Sequence, residues 1–268
     1  EATTAAPPVG GQRRRHAGRG RPERRMRRER PRAVAFDFGN TLVEIGYPAA
    51  GLRAAGLELV HRLKLGPLPL PAEELGPAVD AKVEHLIAVA HRRRPLREVE
   101  IVPVYARALG RVLGRRLPVE AGMVACEVLQ PPWGEAVSVR PGALRTLAGL
   151  RAAGLRLGLL SNAPYPPSVL HGILRRVRLA PLLDVAMFSS EVGVRKPSPL
   201  AFQLLLDGLG VEADEAWFVG DEWRADIQGA SRAGMVPLLA PGADPALDPA
   251  VRQLGSFEEL GELVRSRS

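Results

Sequence analysis

The chain has 268 residues, of which 46% are hydrophobic, and a formal net charge of +8. This length and apolar content suffice for a sizeable hydrophobic core, so we expect a globular protein made of one core domain and an insertion. The positive charge lies in residues 1–32, which hold 11 arginines and three glutamates. Residues 33–268 therefore carry equal numbers of basic and acidic side chains, which argues against a nucleic-acid partner for the folded part.

The Arg-rich segment 1–32 has no apolar periodicity, so we predict a disordered tail, whose charge would suit non-specific phosphate binding. A second interpretation is that Met26, just before the first strand, is the true start of the protein.

The one cysteine, Cys126, excludes an internal disulfide, and we interpret it as a core residue. No apolar run approaches the roughly 18 residues of a membrane span. We therefore expect a cytoplasmic protein that has no membrane partner.

The predicted elements begin with a short apolar strand, AVAF at residues 33–36, which ends at Asp37. From residue 49 the apolar spacing becomes helical, and proline-rich stretches such as GPLPLP separate the helices. This pattern predicts an all-helical insert that ends near residue 136, with helices over residues 49–64, 72–94 and 102–116.

From about residue 140 short apolar strands alternate with helices, which is typical of a parallel sheet covered on both faces. The strands are predicted over residues 155–161, 184–190, 216–221 and 236–240, and the helices over 142–154, 168–177, 199–210 and 225–234. The predicted fold class is α/β, with a doubly wound, Rossmann-like parallel sheet. The core comprises residues 33–44 and 137–268, and an all-helical cap is inserted at residues 45–136.

Polar residues follow four of these predicted strands. Asp37 follows the first, Ser161 and Asn162 the second, Lys196 lies in the loop after the third, and Asp221 follows the fourth. Because ligands bind at the carboxyl ends of parallel strands, we expect these side chains to converge.

The acidic residues of this set predict a cation. Asp37, Asp221, Glu222 and Asp226 would crowd negative charge into one crevice, and Mg²⁺ with its oxygen ligands would relieve the repulsion. The chain contains only three lysines beside many arginines, so the lysine at position 196 indicates a need for a compact ammonium group.

Four motifs resemble those of the haloacid dehalogenase superfamily, in the branch whose helical cap follows the first strand. They are FDFGNTL, LLSN, GVRKPSPLAF and FVGDEWRADIQGASRAGM, in this order. The resemblance extends from about Ala33 to Val264, which is nearly the whole chain apart from the tail.

The resemblance implies a Mg²⁺-dependent phosphohydrolase that acts on a small phosphorylated metabolite. Asp37 would attack phosphorus and form an aspartyl-phosphate, while Ser161 and Lys196 would hold the phosphoryl oxygens. The resemblance also implies that the metal would be bound by Asp37, Asp221, Asp226 and the backbone carbonyl of Gly39. The substrate would be bound by Asn40, Thr41 and Asn162.

Gly39 departs from the family pattern, because the family's phosphatases have a second aspartate there as general acid and base. Such a group contributes roughly 10²- to 10⁴-fold to the rate. Its loss matters most for poor leaving groups, so we expect a preference for aryl and acyl phosphates over alkyl phosphates.

Another residue could replace the missing acid. The candidates are Glu44 in the flap after Asp37, and His85 or His91 in the cap.

Two other functions stay open at this point. The first is hydrolysis of a C–halogen or C–P bond, since the family's dehalogenases and phosphonate hydrolases also lack the aspartate. A dehalogenase would not need the metal motif, and a phosphonate hydrolase would need a cap lysine, such as Lys64 or Lys82. The second is a non-catalytic module that binds Mg²⁺ and a phosphometabolite, although retention of Asp37 argues against it. The sequence leaves the substrate and the oligomeric state open.

Overall fold

The computed structural model describes residues 30–267. The possible start at Met26 and most of the predicted disordered tail concern residues outside this range. Arg32, the last residue of the predicted tail, makes main-chain hydrogen bonds on both sides of β1. The Arg32 N–H donates to the Glu215 carbonyl at 2.8 Å, and the Arg32 carbonyl accepts from the Arg156 N–H at 3.0 Å. This pairing holds the backbone of Arg32 beside the start of β1.

The central sheet has six parallel strands in the order β5–β4–β1–β6–β7–β8. Their bounds are β1 Ala33–Phe36, β4 Arg156–Ser161, β5 Val185–Phe188, β6 Ala216–Gly220, β7 Val236–Leu239 and β8 Arg252–Gln253. A separate antiparallel pair is formed by β2 (Val43–Ile45) and β3 (Val137–Val139). The register aligns Phe36 of β1 with Leu159 of β4 and Val219 of β6, so these three strands end at the same edge.

Four helices lie between β2 and β3, and six follow β3. The first group is α1 Ala49–Arg62, α2 Ala72–Arg93, α3 Ile101–Val112 and α4 Val119–Glu135. The second group is α5 Ala143–Ala152, α6 Pro167–Arg176, α7 Ser189–Val192, α8 Pro199–Leu209, α9 Gln228–Ala233 and α10 Phe257–Arg265. None of the helices within residues 30–267 is both long enough and apolar enough to span a membrane.

The sheet is covered by helices on both faces, which confirms the predicted doubly wound α/β core. Alternate residues of β1 belong to different hydrophobic clusters, as expected for a strand with both faces buried. Val34 and Phe36 pack in a cluster with residues of α5, α6 and α10. Ala33 and Ala35 pack in a cluster with residues of α8 and α9.

Helices α1–α4 form a hydrophobic cluster of their own, apart from the two clusters of the sheet. Its largest fully buried side chain is Tyr105, and leucines from each of α1 to α4 belong to the same cluster. The paired strands β2 and β3 lie at the two points where the chain enters and leaves this helical insert.

The structure differs from the predicted elements in several places. Helix α3 ends at Val112 rather than at residue 116, and the predicted helix at residue 225 begins with a π-helical turn, Trp223–Ile227. Helix α4 continues through Pro131 and Pro132, because packing of its two ends overrides the cost of the two prolines. The sequence analysis also did not predict the helices α4, α7 and α10 or the strands β2, β3 and β8. Strands of two or three residues are too short for an alternating pattern to appear.

Candidate active site

Asp37 lies at the carboxyl edge of the sheet, directly after β1. Its N–H donates to the carbonyl of Val219 on β6 at 2.9 Å, so the pairing of β1 continues one residue beyond the strand. Asp37 is only 8% exposed. The neighbouring strands therefore hold its backbone, and its carboxylate lies where ligands bind in open α/β sheets.

Lys196 reaches Asp37 from the loop between α7 and α8. Its Nζ lies 2.5 Å from Asp37 Oδ1 and 2.7 Å from Asp226 Oδ1. Burial alone would lower the pKa of Lys196, but the carboxylates of Asp226 and Asp37 outweigh burial and raise the pKa above its ordinary value. Lys196 thus keeps its positive charge in a place with little water, where a charge acts strongly on a neighbouring anion.

Asn162 holds the loop that carries Lys196. Its side-chain nitrogen donates to the Lys196 carbonyl at 3.1 Å, and its side-chain oxygen accepts from the Lys196 N–H at 2.8 Å. Both ends of the amide are engaged, so Asn162 connects the end of β4 to Lys196 and positions it. The substrate contact expected of Asn162 stays a prediction.

Three carboxylates meet beside Lys196. One oxygen from each of Asp37, Asp221 and Asp226 lies within 4.8 Å of the other two. Burial, followed by the charge of Asp37, raises the pKa of Asp221 to about 6. The pKa of Asp226 is raised to about 7, because burial together with Asp37 outweighs the opposing effect of Lys196. The cluster therefore holds more negative charge than one lysine compensates.

This donor set fits a hard divalent cation such as Mg²⁺, which binds carboxylate and carbonyl oxygens. Asp226 Oδ1 is buried, and Lys196 Nζ lies 2.7 Å from it. The same ammonium group also pairs with Asp37, so a cation at the cluster would supply the positive charge that one lysine leaves lacking. Asp37, Asp221 and Asp226 are the side chains that would hold the ion.

Neighbouring residues orient the carboxylates. Thr41 is fully buried, and its hydroxyl donates to Asp221 Oδ1 at 3.1 Å. The N–H of Glu222 donates to Asp226 Oδ2 at 3.0 Å. Gly220 permits the close approach of Asp226, since a Cβ at Gly220 would lie 2.4 Å from the Asp226 carboxyl carbon. Thr41 thus positions a carboxylate, and its expected contact with substrate stays a prediction.

Asn40 belongs to the turn after β1. Its backbone is left-handed, with φ of 54°, and its carbonyl accepts a hydrogen bond from Arg140 at 2.6 Å. Asn40 is exposed and lines a surface groove together with Asp221 and Glu44. The structure therefore places Asn40 beside the carboxylate cluster, and its contact with substrate stays a prediction.

A cavity of about 260 Å³ lies between the carboxyl edge of the sheet and helices α2 and α4. Gly39 and Ser161 line it from the core, and Glu84, Gln130 and Trp133 line it from the helical insert. The predicted residues Gly39 and Ser161 thus face the same space, which the insert covers.

The replacement acids suggested by the sequence lie elsewhere in the described chain. Glu44, His85 and His91 are all absent from the lining of this cavity. The side chain of Glu44 is 64% exposed, and His85 is also exposed. His91 Nε2 lies 2.7 Å from the carboxylate of Glu98. Of the three, only Glu44 lies near the carboxylate cluster, in the surface groove that Asn40 and Asp221 also line, and its role as a replacement acid stays a prediction.

A buried acid that the sequence did not predict connects the helical insert to the core. Glu98, in the loop between α2 and α3, pairs with His91 and accepts a hydrogen bond from Ser189 Oγ at 2.5 Å. Ser189 Oγ also accepts from the Ala163 N–H at 2.8 Å. Burial would raise the pKa of Glu98, but the hydrogen bonds from His91 and Ser189, and then the charge of Arg195, lower it. In the charged stretch RRRPLREVE nothing distinguishes Glu98 from a surface residue.

A family model for haloacid dehalogenase-like hydrolases matches residues 31–234. The matched range contains every site residue described above, from Asp37 to Asp226. The chain belongs to the haloacid dehalogenase-like hydrolases. The family and the fold predicted from the four motifs are thereby confirmed.

Two curated relatives of this hydrolase are phosphoglycolate phosphatases. The one from Rhodospirillum rubrum is 41% identical over 130 residues, which cover 47% of this chain and 52% of that protein. The one from Shigella dysenteriae serotype 1 is 31% identical over 214 residues, which cover 76% of this chain and 78% of that protein. Among solved structures, the 2-haloacid dehalogenase of Pseudomonas syringae pv. Tomato DC3000 has a TM-score of 0.63 at 23% identity, covering 89% of this chain and 100% of that one. This last similarity concerns the fold alone.

Proposed function

We propose that this hydrolase is a Mg²⁺-dependent phosphohydrolase that acts on a small phosphorylated metabolite through an aspartyl-phosphate. The observation that carries the proposal is the buried ammonium group of Lys196 between Asp37 and Asp226, with Asp221 beside them. The two curated relatives, both phosphoglycolate phosphatases, support the same reaction class.

In the first step an oxygen of Asp37 would attack phosphorus, forming an aspartyl-phosphate and breaking the bond to the leaving-group oxygen. Lys196 and Ser161 would bind the non-bridging phosphoryl oxygens and offset their charge. Mg²⁺, held by the carboxylate cluster and the Gly39 carbonyl, would supply further positive charge at the phosphoryl group. In the second step water would attack phosphorus, release inorganic phosphate and regenerate the Asp37 carboxylate.

The division into a core of residues 33–44 and 137–268 and a cap of residues 45–136 is part of this proposal. The separate hydrophobic cluster of α1–α4 supports it, as does the lining that the insert contributes to the cavity beside Gly39. A cap over the carboxyl edge of the sheet would exclude water during phosphoryl transfer. The cytoplasmic location and the lack of nucleic-acid and membrane partners stay predictions.

Hydrolysis of a C–P bond through a cap lysine is less well supported. Of the two candidates, Lys64 is exposed and Lys82 is partly buried. Neither lines the cavity beside Gly39, as far as the chain is described. The geometry therefore favours a phosphate ester over a phosphonate.

Removal of divalent metal from the enzyme tests the proposed function. We expect the protein to hydrolyse p-nitrophenyl phosphate in the presence of Mg²⁺. In EDTA the rate should fall by about 10²-fold or more, because the carboxylate cluster would then repel the phosphoryl group. Restoring excess Mg²⁺ should restore the rate. Equal release of p-nitrophenolate with and without EDTA would contradict the metal requirement, and no release under any condition would contradict the proposed function.

A second prediction concerns the missing acid. The substitution Gly39→Asp is expected to raise turnover of an alkyl phosphate by roughly 10²-fold, with a smaller effect on an aryl phosphate, whose leaving group needs no proton. The new side chain has room, since a Cβ at Gly39 would lie 3.5 Å from Ile45 Cδ1, an ordinary contact. Gly39→Asn is the matched control, because it has the same size and carries no acid. The role assigned to Gly39 is wrong if both variants change the two rates equally.

A further inference from the structure

We infer that the cavity beside Gly39 selects phosphate esters whose leaving group has an apolar ring and, at its far end, a cationic group. Glu84 is the residue that determines this specificity. The inference rests on the proposed phosphohydrolase function and adds the chemical class of the leaving group.

The apolar part of the preference follows from the lining of the cavity. Most of its walls are hydrophobic side chains, contributed by both the core and the helical insert: Phe38, Ile45, Trp133, Val137, Leu170 and Ile173. Trp133 is held in place, because its indole N–H donates to Asp80 Oδ1 at 2.8 Å. An aromatic leaving group fills such a space, and it is also the type that departs without a proton from position 39.

The charge of the preferred group follows from Glu84. Within residues 30–267, Glu84 is the only charged residue that lines this cavity, and no lysine, arginine or histidine does so. Tyr165 donates a hydrogen bond to Glu84 Oε1 at 2.6 Å, which fixes the carboxylate, while Oε2 makes no hydrogen bond within the described residues. Glu84 is exposed, so it stands where the cavity opens to solvent. Ser161, which is proposed to bind the phosphoryl oxygens, lines the same cavity, so a ligand whose phosphate lies at Ser161 can extend through the cavity toward the Glu84 carboxylate.

The same lining disfavours an acidic substrate. The phosphoglycolate named for the two curated relatives carries a carboxylate next to its ester carbon. No lysine, arginine or histidine among residues 30–267 lines the cavity to pair with such a group, and the one charged residue of the lining, Glu84, has the same negative sign. We therefore expect phosphoglycolate to be a poor ligand of this protein.

A matched series of aryl phosphates tests the inference. The three esters are 4-(2-aminoethyl)phenyl, 4-ethylphenyl and 4-(carboxymethyl)phenyl phosphate, which differ mainly in the charge of the para group. Their kcat/KM values are measured with Mg²⁺ for the wild type, Glu84→Gln and Glu73→Gln. Glu73 is exposed on the same helix and does not line the cavity, so it is the matched control. Titration calorimetry of the three esters, and of phosphoglycolate, into the Asp37→Asn variant measures the same preference without turnover.

The wild type should favour the amino ester over the carboxylate ester by at least about tenfold, in both kcat/KM and affinity. Glu84→Gln should bring this ratio close to one, whereas Glu73→Gln should leave it unchanged. Equal values for the three esters, a preference for the carboxylate ester, or an unchanged ratio in Glu84→Gln would overturn the inference. If the esters bind in the expected order but none is hydrolysed, the specificity stands and the proposed function fails.

Discussion

Replacing Asp37 with asparagine is expected to lower hydrolysis of p-nitrophenyl phosphate by roughly 10³- to 10⁶-fold. Asparagine keeps the size of the side chain, but its neutral amide is a far weaker nucleophile toward phosphorus. The substitution also removes one of the two carboxylates that pair with Lys196. Steady-state rates measure the loss, and chemical trapping of the phosphorylated protein shows its cause, because only the wild type should yield a labelled aspartate at position 37.

The control for this experiment is Asp207→Asn. Asp207 lies exposed on α8, where it accepts a hydrogen bond from Gln203 at 2.8 Å, and we expect the variant to keep the wild-type rate. A rate within tenfold of the wild type for Asp37→Asn would rule out Asp37 as the nucleophile. If the wild type also lacks turnover, and both proteins bind Mg²⁺ and the phosphate ester equally, the protein is instead a binding module.

Replacing Lys196 with methionine is expected to have the second largest effect. The ammonium group lies between two buried carboxylates, so its removal leaves Asp37 and Asp226 without a positive partner. Breaking a buried ion pair on one side costs about 3–5 kcal/mol in the free energy of unfolding. The rate should fall by roughly 10²- to 10³-fold, because a cation aimed at the phosphoryl oxygens is lost.

The pH dependence of stability distinguishes this cause from a simple packing defect. With Lys196 present, the pKa of Asp226 is already raised from 3.8 to about 7, and the loss of the lysine raises it further. A carboxyl whose pKa is higher in the folded than in the unfolded state binds a proton on folding, so it destabilises the fold increasingly as the pH rises. The stability loss in Lys196→Met should therefore be larger at pH 8 than at pH 5, measured by denaturant unfolding in EDTA.

Lys64→Met serves as the control for the lysine experiment, since Lys64 is exposed in the helical insert. It should change the free energy of unfolding little at either pH. An equal stability loss at pH 5 and pH 8 for Lys196→Met would mean that lost packing, and not unpaired carboxylates, is responsible.

The sequence by itself determined the fold class and the place of the candidate catalytic groups. Apolar strands that alternate with helices favour a parallel sheet packed against helices, and the carboxyl ends of such strands meet at a common edge. The convergence of Asp37, Lys196 and Asp221 follows from that topology, because each comes at or after the end of a strand. The periodicity of apolar residues and the order of strands and helices along the chain are properties of the sequence itself, which explains why these predictions were possible.

Only the tertiary structure decided what the neighbouring residues do. The hydrogen bonds between Asn162 and the backbone of Lys196, and from the Ser189 hydroxyl to Glu98, join residues far apart in the chain. Glu84 faces the cavity only because α2 packs over the edge of the sheet. Hydrogen bonds and cavities depend on distances between side chains of different elements, and those distances are set by packing, of which a single sequence carries no direct record.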